Sequence, residues 1–475
     1  MAQMIDVLPA PDEPNEFAFG AVERRAIGNP LAADFAAHAI GRDAGHRPCS
    51  TPVDTASRGP ELGACPCEPL TSFQTWGSDM TGPLDGYTVI DMSAVVSGPM
   101  CAQVLGDQGA DVIKIEPMGI GDITRLGGYR VGDVSAMFLS CNRGKKSVAL
   151  DLGQEAGIEA VRRLAATADV FVQNFRPGAT DRMGIGPEAL HAINPDLIYV
   201  SISGFGPTGP YSQWRVYDPI IQAISGVPSV QRSMDIPIPD LVRTIIGDKS
   251  TALTAAQAVT GALLARERGR ARGQHLEIPM LDTLLYFLWP DNFMGETFTG
   301  EVTPGPLLHD IYRLQQTADG NMVYFAVSDA EWEGLCTALG HPEWWEDERF
   351  NTIAERSKPE NFEAIGAMLN NAFIQWPTDE ILDRLHEFEV PAAPVNELGD
   401  VFEDPQVVHN EAIHYWDHPL VGPTRSARQP VRFSDTQPAD NFSADSLGQS
   451  TRQVLGAVGY SDAELDALTQ AGVTN

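Results

Sequence analysis

From residue 83 onward, short apolar runs alternate with segments of helical periodicity, and this alternation most constrains the fold. Strand-like runs begin at Tyr87, Asp111, Ser147, Asp169 and Leu197, with helical patterns after most of them, as at residues 154–167 and 187–193. A strand, a helix and a second strand in succession form a right-handed parallel unit. The alternation therefore predicts an open α/β sheet.

Two helices and a further strand extend this region. One helix is expected to begin at Ser97-Gly98-Pro99 and to end by Gly109, because proline suits a first turn and glycine a helix end. A longer helix is predicted from about Lys249 to Arg266, and a strand follows from His275.

The composition divides the chain into four parts. We predict a largely irregular extension over 1–82, a large domain over 83–300, a smaller α/β or α+β domain over 301–400, and a C-terminal segment over 401–475. The stretch GEVTPGP near residue 300 is a linker by composition, and the Pro-rich run from Val390 marks the next change. The C-terminal segment is expected to return to the large domain.

The charge excludes several classes of function. Lys and Arg number 32 against 64 Asp and Glu, a formal net charge of −32. Such a surplus of negative charge disfavours binding to nucleic acid or to an anionic membrane. The sequence has no apolar run that could span a bilayer, and its six cysteines are too scattered for a disulfide scaffold. The first residues lack a basic and an apolar region, so we expect no signal peptide. We therefore expect a soluble, cytoplasmic protein.

The extension offers one weak helix and one weak candidate for a metal site. Asn29 could cap a short helix whose shared face carries Leu31, Phe35 and Ile40. Four residues with metal-binding side chains follow at spacings that fit no standard zinc motif: His46, Cys49, Cys65 and Cys67. No metal is expected.

The common cofactor motifs are missing from the sequence. It has no GxxxxGK[ST] phosphate loop, no GxSxG elbow and no HExxH pair, and the first strand–turn–helix reads MSAVVSGP instead of GxGxxG. Nicotinamide, flavin and metal-hydrolase chemistries are therefore disfavoured.

Two basic turns follow or precede predicted strands. Arg176 and Arg182 flank the turn in QNFRPGATDRMG, and NRGKK at 142–146 forms the second. Either turn could be an ordinary loop with solvated cations. Alternatively, the turn with Arg176 and Arg182 could bind phosphate at the carboxyl end of a sheet. If the two turns lie on neighbouring strands, both could face one polyanionic ligand.

Asp248 is the other candidate functional residue. It follows the strand-like apolar run and glycine of IIGD and comes just before the long predicted helix. On position alone an N-cap is favoured, which is the ordinary role of aspartate there. A carboxylate there would also be held ionised by the helix dipole and could serve as a nucleophile. Position alone leaves both interpretations open.

Several blocks, in order, resemble the signature blocks of class III CoA-transferases, a superfamily that includes formyl-CoA transferase, carnitine CoA-transferase and α-methylacyl-CoA racemase. They include PLDGYTVIDMSAVVSGPMCAQVLGDQGADVIKIEP, FLSCNRGKKSVALDL, ADVFVQNFRPGATDRMGIG, NPDLIYVSISGFGPTGP and YDPIIQAISG. The resemblance runs from about Pro83 to at least Phe433. It implies a Rossmann-like large domain, a smaller domain, and an interlocked homodimer in which each chain threads the other.

The resemblance also implies a chemistry without metal or redox cofactor, in which CoA passes between two carboxylic acids. The family's nucleophilic aspartate falls at Asp248. The implied CoA contacts are Val96, Ser97, Leu150, Asn174, Phe175, Arg176, Arg182 and Arg215. Tyr217 and Asp218 would line the acyl pocket.

Three interpretations remain open from the sequence. The first is a CoA-transferase, for which the oxalate-specific branch is disfavoured because Val96 replaces that branch's glutamine and the glycine-rich loop is absent. The second is an acyl-CoA racemase or epimerase, disfavoured because Tyr217 replaces that branch's histidine. The third is a non-catalytic CoA-binding subunit, as in a heteromer with a paralogous chain. The donor and acceptor acids cannot be read from the sequence.

Overall fold

The computed structural model describes residues 82–475 except 133, 233–236, 304, 306–311, 313 and 439–440. The described residues belong to one compact unit. Within them, no helix is both long and apolar enough to cross a membrane. The predicted helix at Asn29, the candidate metal ligands before residue 68 and part of the predicted linker near 300 lie outside the described residues.

The elements are as follows in chain order. The strands are β1 (Thr88–Met92), β2 (Asp111–Pro117), β3 (Arg130–Val131), β4 (Val134–Ser135), β5 (Lys146–Leu150), β6 (Val170–Gln173), β7 (Ile198–Ser203), β8 (Gln274–Pro279), β9 (Gln315–Gln316), β10 (Asn321–Tyr324), β11 (Ala392–Pro394), β12 (Ile413–His418) and β13 (Gly422–Ala427). The helices are α1 (Ser97–Gly106), α2 (Ala136–Asn142), α3 (Glu155–Ala165), α4 (Ala179–Arg182), α5 (Pro187–Ile193), α6 (Asp218–Ser225), α7 (Val227–Val230), α8 (Ile246–Glu267), α9 (Met280–Asn292), α10 (Asp329–Ala338), α11 (Glu343–Glu346), α12 (Ile353–Arg356), α13 (Pro359–Phe373), α14 (Thr378–Glu387), α15 (Pro405–His409), α16 (Thr451–Ala457) and α17 (Asp462–Gln470).

The main sheet has six strands in the order β5-β2-β1-β6-β7-β8, and every neighbouring pair is parallel. The strands β1, β2 and β6 are buried on both faces, as expected when helices cover a parallel sheet, whereas the edge strand β8 exposes His275 and Glu277. One face packs against α1, α8 and α9, and the other against α3, α5, α16 and α17. The predicted open parallel α/β fold is confirmed.

The strand order contains one switch point. The chain moves outward from β1 to β2 and β5, then returns to the other side of β1 as β6. The loops that follow β1 and β6 therefore leave the sheet side by side at its carboxyl edge. In open α/β sheets, this crevice is where ligands bind.

A buried network of ion pairs supports the loop after β1. The ammonium group of Lys114 lies 3.1 Å from Asp122 and 3.5 Å from Asp91, and it donates to the backbone oxygen of Ser93 at 3.0 Å. Lys145 lies 2.8 Å from Asp91 and donates to the backbone oxygen of Pro99 at 2.7 Å. These four charged side chains thus fix both ends of the segment 93–99.

The C-terminal segment covers the edge strand β5. The hydroxyl of Thr451 accepts from the backbone N–H of Ala149 at 3.1 Å, and the N–H of Asp151 donates to the backbone of Val473 at 2.8 Å. Leu455 of α16 and Leu465 of α17 are buried in the core beneath. An exposed edge strand can pair with other chains, so this cover protects it.

A second hydrophobic core surrounds a small antiparallel sheet, in the order β11-β10-β9. Trp332 and Leu335 of α10, Phe373 of α13 and Leu385 of α14 are buried in it. Helix α10 begins with a capping box, in which Ser328 and Glu331 each bind the other's backbone N–H. This part is α+β, as the composition predicted, although the boundaries at 300 and 400 remain predictions.

Some local predictions require correction. The run before Asp248 is not a strand in the structure, and the helix α9 was not predicted. The turn at 142–146 precedes its strand, so it lies at the amino edge of the sheet, and β5 and β6 are separated by two strands. Lys146 pairs there with Asp111, while Lys145 belongs to the buried network. The two basic turns therefore do not face one polyanionic ligand.

Candidate active site

A cavity of about 80 Å³ opens at the switch point of the sheet. Its walls come from the loops after β1 and β6, the loop between β7 and α6, and the starts of α8 and α9. The lining residues are Ala94, Val95, Ser97, Asn174, Phe175, Arg176, Pro177, Ile202, Ser203, Gly204, Ser212, Trp214, Val216, Tyr217, Asp248 and Met280.

The loop after β1 is held in an unusual backbone conformation. Val95 has φ of 72°, a left-handed value that is costly for a β-branched residue. The amide of Asn174 binds both backbone groups of Ala94, accepting from its N–H at 3.0 Å and donating to its oxygen at 2.8 Å. A side chain at Gly98 would collide with Ser93. The surroundings therefore enforce a strained turn that brings Ser97 to the cavity.

Asp248 lies in the first turn of α8, and its carboxylate does not cap that helix. The N-cap residue is Ile245, which makes no side-chain cap. Asp218, buried at the start of α6, accepts from the backbone N–H of Asp248 at 3.0 Å and from the amide of Gln222 at 2.5 Å. The predicted N-cap role of Asp248 is therefore wrong, because Asp218 binds the free N–H at this helix end.

The pKa of Asp248 is raised to about 6 from its ordinary value of 3.8. Burial is the largest cause, the negative charge of Asp218 is the second, and the hydroxyl and backbone N–H of Ser97 oppose the rise. A carboxylate with this pKa is mostly ionised at pH 7, yet it is more basic than an ordinary aspartate. Both properties suit a nucleophile.

The turn after β6 presents two arginines. Arg176 lines the cavity, and its Nε and Nη2 atoms are buried without a hydrogen-bond partner among the described residues. Arg182 is exposed on α4, with its Nη1 atom near Gly178 in the same turn. Buried guanidinium nitrogens are nearly always paired in folded proteins, so Arg176 marks a place for an anionic or polar group.

The structure brings six of the predicted site residues to one cavity: Ser97, Asn174, Phe175, Arg176, Tyr217 and Asp248. Val96 is buried at the N-cap of α1, and Leu150 is fully buried in the core. Arg182 and Arg215 are exposed outside the lining, and Asp218 lies buried behind Asp248.

Sequence reasoning missed several lining residues. Trp214 and Val216 come from an irregular loop, and Met280 begins the unpredicted helix α9. None belongs to a periodic pattern, so no local signal in the sequence points to them. Within the described residues, no group of three or more His, Cys, Asp or Glu side chains is arranged to hold a metal ion.

The open α/β sheet places a buried carboxylate with a raised pKa, that of Asp248, at its switch point, as is common in the active sites of enzymes. The family model "CoA-transferase family III" matches residues 84–451. The chain belongs to CoA-transferase family III and is a CoA-transferase. This confirms the family resemblance seen in the sequence blocks.

Relatives and solved structures agree with this assignment. The formyl-CoA:oxalate CoA-transferases of Shigella sonnei (strain Ss046) and Escherichia coli O139:H28 are each 32% identical over 419 residues, covering 82% of this chain and 99% of theirs. A CAIB/BAIF family protein from Brucella suis matches with a TM-score of 0.69 and 34% identity, over 80% of this chain and 100% of that one. Rv3272 from Mycobacterium tuberculosis matches with a TM-score of 0.70 and 28% identity, over 79% and 100%.

The raised pKa of Asp248 predicts a pH-dependent gain in stability when this residue is replaced. Between about pH 4 and pH 6, Asp248 is ionised in the unfolded state but still mostly protonated in the folded state. The free energy of unfolding therefore falls as pH rises through this range, and the loss is complete above pH 6. Asp248→Asn should therefore raise the free energy of unfolding by up to about 3 kcal/mol at pH 8, and by little at pH 4. Urea unfolding at pH 4, 6 and 8, at one protein concentration, measures this.

Asp282→Asn is the matched control, since Asp282 occupies the same first-turn position of α9 but is exposed. It removes one negative charge from the same helix position and thus controls for the loss of charge alone. If the free energies of unfolding of Asp248→Asn and the wild type differ by the same amount at all three pH values, the raised pKa of Asp248 is contradicted.

Proposed function

We propose that this enzyme transfers CoA from an acyl-CoA thioester to an acceptor carboxylic acid through covalent intermediates on Asp248. The observation that carries the proposal is the placement of the Asp248 carboxylate in the cavity, with its helix-capping role taken by Asp218. A buried carboxylate that is not needed for capping is available for chemistry.

The proposed steps exchange acyl bonds only. A carboxylate oxygen of Asp248 attacks the thioester carbonyl, the C–S bond breaks, and a mixed anhydride and CoA thiolate form. The thiolate attacks the Asp248 carbonyl carbon, releasing the donor acid and leaving an aspartyl-CoA thioester. The acceptor carboxylate attacks this thioester, expelling thiolate and forming a second anhydride. The thiolate then attacks the acceptor carbonyl and frees Asp248. No step changes an oxidation state, so we propose that the reaction needs no redox cofactor or metal.

We propose that CoA contacts the turn after β6 and the loop after β1. Arg176 offers buried, unpartnered N–H groups, and Arg182 lies over the same turn. Phosphate or carbonyl oxygens of CoA would satisfy these groups. Ser97, Asn174 and Phe175 line the same space. The buried side chain of Leu150 leaves only its backbone for such a contact, and the predicted roles of Val96 and Arg215 remain proposals.

The acids used by this enzyme are proposed to differ from those in the names of its relatives. Those names specify formyl-CoA and oxalate. In this chain, Val96 is apolar and buried where the oxalate-specific branch has glutamine.

A cytoplasmic location also remains a proposal, and fractionation of source cells checks it.

We propose that the enzyme is an interlocked homodimer. Helices α6 and α9 pack against each other, and both expose large apolar side chains, including Ile220, Tyr286 and Phe287, the second of which is 81% exposed. Exposed apolar surface of this kind indicates an interface. Threaded chains cannot separate without large-scale opening, so sedimentation at nanomolar concentration should show a dimer. A folded monomer would contradict the proposal.

Asp248→Asn should lower CoA transfer by several orders of magnitude while the protein stays folded. The change removes the attacking carboxylate but keeps the backbone N–H that Asp218 binds. Transfer rates measured with a panel of acyl-CoA donors and acids test this. In the wild type, hydroxylamine added after acyl-CoA should convert Asp248 to its hydroxamate, which peptide mass spectrometry locates.

Asp282→Asn again serves as the control, and it should keep near-wild-type transfer. The proposal is falsified if Asp248→Asn also keeps near-wild-type transfer. An adduct located on Asp218 would instead move the nucleophile and keep the reaction.

Arg176→Ala and Arg182→Ala should each weaken acyl-CoA binding by about 10- to 150-fold, the range for a charge-assisted hydrogen bond. The loss should be smaller for acyl-pantetheine, which lacks the nucleotide phosphates. Calorimetric titration of both ligands measures the effect. Arg349→Ala removes an exposed guanidinium paired with Asp347 and should change neither affinity. Equal losses for both ligands would show that the arginines do not bind phosphate.

A further inference from the structure

The loop between β7 and α6 forms one wall of the cavity and has a fixed shape. A side chain at Gly204 would collide with Val216, so glycine lets the two ends of the loop pack together. Gly206 and Gly209 adopt left-handed φ values of 89° and 94°, which a tight turn requires. The loop therefore presents its side chains as a preformed surface.

Three aromatic rings stabilise this loop. The rings of Tyr211 and Trp214 have centroids 4.0 Å apart, and the ring of Phe205 meets them edge-on at 5.7 and 6.2 Å. Phe205 in turn packs against the core between the main sheet and the helices α1, α8 and α9. Trp214 lines the cavity but is 51% exposed. A large ring that is held on one side and open on the other offers a binding surface.

Apolar side chains form part of the cavity wall. Ile202, Val216 and Met280 line the cavity together with Trp214, and Ser203, Ser212 and Tyr217 add polar groups. Among the described lining residues, Arg176 and Asp248 are the only charged ones. Because Arg176 is the proposed partner of CoA, a second carboxylate on a substrate would find no other cation among these lining residues, which is energetically costly.

We propose that the acid exchanging CoA at this site is a monocarboxylic acid with an aromatic body, which packs against Trp214. This inference rests on the proposed function, because it requires the reacting carboxyl group to lie at Asp248. The ring of the acid would then occupy the surface formed by Trp214, Val216 and Met280. Oxalate and other small or doubly charged acids would leave this surface in contact with water.

The test compares acceptor acids with the wild-type enzyme. Phenylacetate should exceed acetate in kcat/KM by at least about tenfold, since one methylene group in an apolar pocket already gives about 10- to 200-fold. Succinate and oxalate should be poorer than acetate. Acetyl-CoA serves as the donor throughout, and transfer to acetate is followed with isotopically labelled acetate because donor and product are otherwise identical.

Variants at Trp214 locate the preference. Trp214→Ala should reduce the ratio of phenylacetate to acetate by about tenfold, while Trp214→Phe should keep most of it because a ring remains. Tyr415→Ala is the matched control, since Tyr415 is a ring of similar exposure, 59%, on the remote strand β12. It should leave the ratio unchanged. Circular dichroism confirms that each variant is folded.

Two failures can be told apart. If Asp248 forms its hydroxamate from acetyl-CoA but acetate or oxalate is preferred, or if Trp214→Ala leaves the ratio unchanged, the proposed substrate class is wrong and the transferase mechanism stands. If no acyl-CoA labels Asp248 and no acid accepts CoA, both proposals are overturned.

Discussion

The buried ion pairs of Lys114 and Lys145 with Asp91 and Asp122 are the interaction on which the active site depends. Burial alone would raise the pKa of Asp91, but the two lysines more than offset this and bring it to about 2. Removing four charges from water is costly, and the pairs recover that cost only when every partner is in place. The network therefore favours one arrangement of the segment 93–99, in which Val95 is strained and Ser97 reaches the cavity.

A second buried pair connects the sheet to the C-terminal segment. Glu116 of β2 binds the guanidinium of Arg125 at 2.7 Å and accepts from the hydroxyl of Ser147 at 2.6 Å. Arg125 also donates to the backbone oxygen of Asp445 at 3.1 Å. Because β2 carries both Lys114 and Glu116, a single strand supports the active-site loop and holds the returning chain. The active-site loop and the C-terminal segment thus rest on the same strand.

The sequence predicts local features of this protein well and spatial ones poorly. The six strands of the main sheet and the helix α8 were predicted from strand-like runs and helical periodicity, which are local properties, whereas the short strands β3 and β4 were not. The order of the strands is not a local property. The sequence therefore could not show that β2 and β1 separate β5, which follows the turn at Lys145 and Lys146, from β6, which precedes Arg176. Trp214 lies in an irregular loop whose sequence shows neither helical nor strand periodicity. Its role becomes visible only when the fold brings it to the cavity that holds Asp248.

Asp248 in the first turn of α8 and Asp218 at the start of α6 divide two tasks that position in the sequence could not separate. A helix N-terminus stabilises a negative charge and would keep the pKa of a carboxylate low. Asp218 occupies that role from a different helix, by accepting the N–H of Asp248. Its charge then raises the pKa of Asp248, and burial raises it further. Asp248 is consequently held by its backbone, while its carboxylate remains in the cavity, ionised at neutral pH and more basic than an ordinary aspartate. Capping by one aspartate leaves the carboxylate of the other free of that role, which supports the nucleophilic role proposed for Asp248.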